Sequence, residues 1–394
     1  SKGEDRWICD IRINGQLYEN VGIRYKGYSS VNLEDRKNPF NIDLAYTLNN
    51  KNYKGFTSLR LSNVNYDPSF VREALSYEIA RKYMPASRAN FANVYINDTL
   101  LGLYSNVEAV NKKFILRFFP GNDNSFIKGS PANLKYPFGQ NANLADTHGT
   151  DSTGYIPYYE LESDWGWSDL FHFIIVLNQQ SDSVSQVLNV DRALWMHAFN
   201  YTLLNLDSYI GYSQNYYMYK NDKGIFNTIP WDMNMSFGSF RHTDGSYHYT
   251  GLTIPQTEQL NPLGLLDFAV SPRPLVTKLL KNDTLKRMFL AHMRTIITEN
   301  ISNNEYFTRG QFMQGVIDSA VKNDLNKFYS YEYFHENLLN TVGSSGSENE
   351  FPGIKEIMEA RVAYLDTLDG FAGQPVISEI THAPEIPVRN EPCW

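Results

Sequence analysis

The stretch "LNLDSYIGYSQNYYMYKNDKGIFNTIPWDMNMSFG" (Leu204–Gly238) sets acids and amides among tyrosines, a tryptophan and apolar residues that otherwise read as buried core. Asp207, Asn215, Asp232 and Asn234 each offer side-chain oxygens there. "NYYMYK" and "IFNTIPW" read as two strands joined by an "NDKG" turn. An antiparallel hairpin brings its two outer ends together, so Asn215 and Asp232 are expected to be neighbours. Asp207 stands eight residues before Asn215, at the end of a predicted helix, and a short loop returns it to the same place. Two carboxylates and an amide at a cleft suit a hard divalent cation that keeps waters and shares a phosphate. The same layout serves phosphoryl transfer, in which one acid handles the acceptor hydroxyl and a nearby Asn and Asp hold metal. Taken singly, each residue also has a plain structural role: Asp207 caps a helix and Asp232 satisfies turn amides.

The rest of the chain supplies two unlike halves. "WICDIRI", "VGIRYKG", "PFNIDLAY" and "SLRLSNV" alternate with period two, and "NG" separates the first pair. A helix is predicted in "YDPSFVREALSYEIARKYMP", with Asp67 as N-cap, Pro68 in the first turn and Pro85 as the stop. "FANVYIN" and "LLGLYSNVEAV" form a hairpin about Asn97–Asp98. "NKKFILRFF" reads as a short helix, and residues 119–160 as a long, ordered surface excursion without periodicity. Two long helices precede the hairpin of the opening stretch, and the chain after Pro255 is mainly helical, with "GSSGSENE" (Gly343–Glu350) as a flexible connector. The expected fold class is α+β: a strand-rich unit with one main helix (1–110), a larger mainly helical unit (111–371), and a tail (372–394) that is a linker or the first strand of a following, Ig-like domain. A cleft between two such units is a common place for a ligand.

Composition removes several alternatives. The 394 residues carry 42% hydrophobic and 20% charged residues, enough for a sizeable core. A net charge of −8 carries no global basic footprint for nucleic acid. Two cysteines, Cys9 and Cys393, make neither a disulfide framework nor a metal cluster. No run is long and apolar enough for a membrane helix, and the polar start is not a signal peptide. The chain reads as part of a longer protein. His148, His242 and His248 are too scattered for zinc. Neither a G-x-S-x-G elbow nor a Walker motif is present.

"NLDSYIGYSQNYYMYK…GIFNTIPWDMNMSFG", with "VGIRYKGYSS", "NVNYDPSFVREALSYEIARKYMPASRANFANVYINDTLLGLYSNVEAVNKKF" and "NVDRALW" upstream in the same order, resembles the CotH (spore coat protein H) kinase family over roughly residues 8–370. The resemblance implies an atypical secreted Ser/Thr protein kinase with a bilobal kinase-like fold, ATP and Mg²⁺ or Mn²⁺ as cofactors, and a Ser-rich protein as acceptor. It implies Asp207 as catalytic acid, Asp232 as metal-binding aspartate, and Asn215 and Asn234 as further ligands. "RYKGYSS" falls where a loop covers the phosphates, which places Arg24, Lys26, Gly27 and Ser29 at the nucleotide. Glu73 matches the acid that pairs with a nucleotide-contacting lysine, and Glu108 falls near the hinge. Two departures stand out. Asn41 occupies the place of a basic residue frequent in the family, with Lys37 and Arg60 as nearby substitutes, and Asn234 occupies the place of a frequent acid. An exported, monomeric kinase is the reading adopted, and sequons such as "NDT" and "NIS" agree with export. The competing reading is a catalytically weak CotH-like module that serves as an extracellular binding or scaffolding domain.

Overall fold

The computed structural model describes residues 5–27, 30–130, 142–244, 251–264, 271–347 and 349–371. It is a mixed α+β chain. β1 (Trp7–Ile13), β2 (Gln16–Tyr25), β3 (Phe40–Asp43) and β4 (Ser58–Ser62) precede α1 (Arg72–Ala80), and β5 (Ala89–Ile96) and β6 (Thr99–Val107) follow it. They form a six-stranded antiparallel sheet in the order β1-β2-β3-β4-β6-β5. Both expected hairpin turns are present. Asn14 and Gly15, and Asn97 and Asp98, have positive φ at both central positions (49° and 85°, 46° and 65°), as the twist of two-residue hairpins requires.

Period-two alternation sorts this sheet. Phe40, Ile42, Leu61 and Tyr104 pack with Tyr18, Val21 and Leu44 on one face. The register Arg24↔Asn41↔Arg60 therefore puts these three side chains in one row on the opposite face. Lys26 and Ser62, two residues further along their strands, fall on the same side.

After β6 come α2 (Lys112–Phe118), β7 (Phe126–Gly129), β8 (Tyr159–Leu161), α3 (Trp167–Gln179), α4 (Val190–Thr202), β9 (Tyr216–Lys220) and β10 (Phe226–Pro230). Asn111 caps α2 by accepting from the backbone N–H of Lys113 and Phe114. Asn111→Ala is expected to cost about 1 kcal/mol in urea unfolding. The four strands pair antiparallel as β10-β9-β7-β8. The remaining elements are α5 (Ile254–Glu258), α6 (Pro274–Thr277), α7 (Asp283–Ile296), α8 (Glu305–Asn323), α9 (Tyr331–Glu336), the two-residue strands β11 (Val342–Gly343) and β12 (Glu350–Phe351), and α10 (Ile354–Leu365).

Four expectations need correction. Helix α1 starts at Arg72 rather than at Pro68, because residues 67–70 make a turn with Phe70 at φ 64°. Asp67 still serves the helix start: it accepts from the backbone N–H of Arg72 at 2.8 Å and from its guanidinium at 2.6 Å. Residues 119–130 and 142–160 are not a surface excursion, since they hold β7 and β8, with Phe126 and Ile127 of β7 buried between β9 and β8; residues 131–141 lie outside the described residues. Helix α4 stops at Thr202, and Leu204 turns away at φ 51°. "GSSGSENE" closes a small β11–β12 ribbon rather than a loose connector. The tail 372–394, Ser29, His248 and Cys393 lie outside the described residues.

Helix α1 is joined to the late helices by one apolar cluster that runs from Val64 to Phe371. Polar ties reinforce it. Arg72 is fully buried and donates to Asp67, to Asn337 Oδ1 at 2.7 Å and to the Pro352 carbonyl at 2.5 Å. Arg309 on α8 forks onto Glu78 of α1 at 2.6 and 3.0 Å.

Candidate active site

The β9–β10 hairpin closes as its turn chemistry demands. Asn221 Oδ1 accepts from the N–H groups of Lys223 and Ile225, and Gly224 takes φ 79°. Tyr216 faces Pro230, and the Trp231 N–H reaches the Asn215 carbonyl at 3.0 Å. Asn215 and Asp232 are thus held at the same end of the hairpin. Asn215 Nδ2 donates to the Asp207 carbonyl at 2.9 Å, which leaves its Oδ1 for a ligand. Gln214 Nε2 donates to Asp207 Oδ1 at 2.5 Å. Burial, and after it the charge of Asp232, push the Asp207 carboxyl up to about 7, against hydrogen bonds from Gln214 and Asn215.

The backbone here is strained. Leu204, Ser213, Asn215, Asp232 and Phe237 all take left-handed φ between 51° and 57°. Non-glycine residues in that region persist only where surrounding contacts over-determine them, and they cluster at functional sites. The contacts are visible. The Phe237 N–H bonds the Leu203 carbonyl at 2.7 Å. The Asp232 N–H donates to Tyr77 Oη at 3.1 Å, which ties the segment to α1. Arg273, fully buried, donates from Nε to the Tyr209 carbonyl at 2.9 Å and from Nη2 to that of Gly211 at 2.6 Å, and pairs with Asp244 at 3.0 Å.

Across from these groups stands the polar face of the first sheet. Lys26 Nζ donates to Ser62 Oγ at 3.0 Å, and the Ser62 hydroxyl bonds the Glu73 carboxyl. Glu73 is 4% exposed. Burial pushes its carboxyl up to about 8; Lys26 opposes the rise, and Asp232 and Asp67 add to it. Lys26, Ser62, Glu73, Asp232 and Asp207 therefore form one chain of interacting groups. Lys26, one strand away from Asn41, is the lysine that acts on Glu73 here.

The folded state holds a proton on Glu73 from about pH 4.5, where the unfolded chain loses it, up to about 8. Its contribution to stability is fully present below pH 4.5 and is lost as pH rises through 8. In metal-free buffer, Glu73→Gln is expected to make the unfolding midpoint fall less steeply between pH 5 and 9 than in the wild-type chain, as read by thermal melts.

Gly27 has φ 91°, and a Cβ there would meet the Ser30 hydroxyl, so the chain after Lys26 approaches its neighbours closely. Other expected residues sit elsewhere. Lys37 does not join the Lys26–Ser62–Glu73 chain: it is 1% exposed and bound to Asp324 at 2.6 Å. Glu108 pairs with Arg117 at 2.6 Å and accepts from the Arg88 N–H at 3.0 Å. It lines a separate cleft of about 200 Å³ with Lys54, Lys113 and Arg117. Sequence reading missed Ser62, Tyr77, Gln214 and Arg273; among these only Gln214, next to Asn215, carried a positional hint.

Among the described residues no group of three or more His, Cys, Asp or Glu is arranged to hold a metal ion. The donors that these contacts bring together are the carboxylates of Asp207 and Asp232 and the amide of Asn215. Asn234 Oδ1 is buried with no hydrogen-bond donor among the described residues. Such a set fits a hard cation that completes its shell with water and phosphate oxygens.

No curated protein matches the chain. A family model described as CotH kinase protein matches residues 23–365, which takes in the Lys26–Glu73 side, the hairpin and both aspartates. The chain belongs to the CotH kinase family.

Proposed function

We propose that this chain is a phosphotransferase of bilobal, protein-kinase-like build that moves the γ-phosphoryl group of ATP to a Ser or Thr hydroxyl of an exported or surface protein. The observations that carry the reading are the meeting of Asp207, Asn215 and Asp232 and the electrostatic contact of Asp232 with Glu73 of the Lys26–Ser62–Glu73 chain. In this reading residues 1–110 and 111–371 are the two lobes. Lys26 grips phosphate oxygens, and Glu73 orients Lys26 through Ser62. Asp232, Asn215 and Asn234 hold a divalent cation, which when bound neutralises charge on the phosphates. Gln214 holds Asp207 at Oδ1. Asp207 orients the acceptor hydroxyl and takes its proton as the acceptor oxygen bonds to the γ-phosphorus and the bond to the β-phosphate oxygen breaks, releasing ADP.

No helix among the described residues is long and apolar enough to cross a membrane. The sequon asparagine Asn97 lies exposed in the β5–β6 turn. The sequon at Asn300 is no acceptor in the folded chain, since Asn300 is fully buried and donates to Tyr83 Oη at 2.7 Å.

The test is intact-mass spectrometry of the chain and of a serine-rich acceptor protein after incubation with ATP and Mg²⁺ or Mn²⁺. Added phosphate on either, absent with EDTA, is the expected result. Unmodified protein with unconsumed ATP in both metals contradicts transfer and favours the binding-module reading.

A further inference from the structure

Glu73 and Tyr77 stand one turn apart on α1, on the same face of the helix. Tyr77 is fully buried, and its hydroxyl accepts the Asp232 N–H at 3.1 Å. Burial chiefly, and then Glu73 and Asp232, raise its pKa, so the phenol keeps its proton and meets the amide as a neutral acceptor. The Trp231 N–H bonds the Asn215 carbonyl at 3.0 Å. Two successive amides thus tie this segment to different parts of the fold, one to the start of the hairpin and the next to α1.

Asp232 needs such a hold. Its φ is 55°, in the left-handed region, where an aspartate persists only under contacts that over-determine it. Rotation about φ turns the side chain relative to the preceding peptide plane. The direction of the Asp232 carboxylate therefore depends on how its own N–H is fixed, and a relaxed turn would swing that carboxylate away from Asp207 and Asn215. Tyr77 also borders the other end of the network. The Glu73 carboxyl acts on it, and Glu73 Oε2 is buried with no hydrogen-bond partner among the described residues.

We propose that Tyr77 is a positioning residue for the cation. Its hydroxyl holds the Asp232 backbone in the turn from which the carboxylate ligates, and so makes the cation site depend on where α1 sits. The cation rests on the phosphotransfer reading; the contact between Tyr77 and Asp232 does not.

The test uses Tyr77→Phe, which keeps the ring in the core and removes the acceptor. Mn²⁺ binding by the wild-type chain and the variant is read from the loss of the free-ion electron paramagnetic resonance signal, and phosphotransfer is followed across Mn²⁺ concentration. The Mn²⁺ dissociation constant and the Mn²⁺ concentration for half-maximal rate are expected to rise about tenfold. At saturating Mn²⁺, kcat should stay within about threefold of wild type. A role confined to core packing would lower the melting midpoint and leave Mn²⁺ affinity alone, and that outcome overturns the proposal. So does a wild type that binds no Mn²⁺. A wild type that binds Mn²⁺ and transfers no phosphate contradicts the phosphotransfer reading, and the ratio of the two Mn²⁺ affinities still decides the role of Tyr77. If Tyr77→Phe does not fold, difluorotyrosine in place of Tyr77 keeps the hydroxyl and weakens it as an acceptor. Weaker Mn²⁺ binding there sustains the proposal, and unchanged binding overturns it.

Discussion

Asp207→Asn is expected to lower phosphotransfer by about 10²–10⁴-fold, the range for loss of a positioned general base. ATP affinity should stay within about threefold of wild type. The asparagine is nearly isosteric, keeps Oδ1 for the Gln214 amide, and leaves the backbone carbonyl that Asn215 grips. It replaces the second carboxylate oxygen by an NH₂ group, which cannot serve as a general base. Steady-state kinetics separates the outcomes, because an interaction made only in the transition state lowers kcat and leaves KM. A variant within a few-fold of wild-type kcat would mean that Asp207 does not handle the proton. A variant that loses ATP binding as well would move Asp207 into the metal-binding set.

The largest stability effect is expected at the Lys37–Asp324 pair. Its side chains are 1% and 0% exposed, with Nζ 2.6 Å from Oδ2. The same carboxylate accepts from the Leu103 N–H at 3.0 Å and the Asn326 N–H at 2.9 Å. Gly102, at φ 147°, leaves the room that a Cβ would fill, 2.5 Å from Asp324 Oδ2. Lys37 lies 5.1 Å from the Phe70 ring centre and 5.4 Å from that of Tyr104. Burial lowers its pKa, and Asp324 opposes that shift. Asp324→Ala strands an ammonium between two rings and leaves backbone donors unmet. The expected loss is about 3–5 kcal/mol in urea unfolding. Lys37→Met in the same chain should recover much of it, since the stranded charge goes with the lysine. A single variant within about 1 kcal/mol of wild type would show that water reaches the pair.

The contrast between these two sites shows what the sequence reveals. The meeting of Asn215 and Asp232 follows from "NDKG" and the pairing rule for antiparallel strands, both local facts. Asp207 follows because only seven residues separate it from Asn215. Lys37 could not be placed in the same way, since its partner stands 287 residues away and α8 has to dock before the pair exists. Strand β7 escaped for a similar reason: four residues have no readable period, and their partners on β9 come some 90 positions later. The start of α1 was misread because Asp67 and Pro68 carry true start signals, but the Asp67 carboxylate reaches the helix across a turn. The left-handed φ values around the hairpin are tertiary in origin, and residue types such as Leu204 and Phe237 argue against them. Asn41, in the place of a basic residue that the resemblance leads one to expect, looked in sequence like a loss of charge. The fold places Lys26 beside Ser62 and two arginines beside Asn41 instead.

The measurement that tests the central claim most directly is thermal unfolding with ATP and Mg²⁺, for the wild-type chain beside Asp232→Asn. At about 100 times its dissociation constant, bound nucleotide should stabilise the wild type by roughly 2.7 kcal/mol. The account expects that shift to vanish in EDTA and in Asp232→Asn, with the variant's own midpoint in the absence of ligand close to wild type. An equal shift in wild type and variant, or none in either at millimolar ATP, would contradict a metal–nucleotide site at this hairpin.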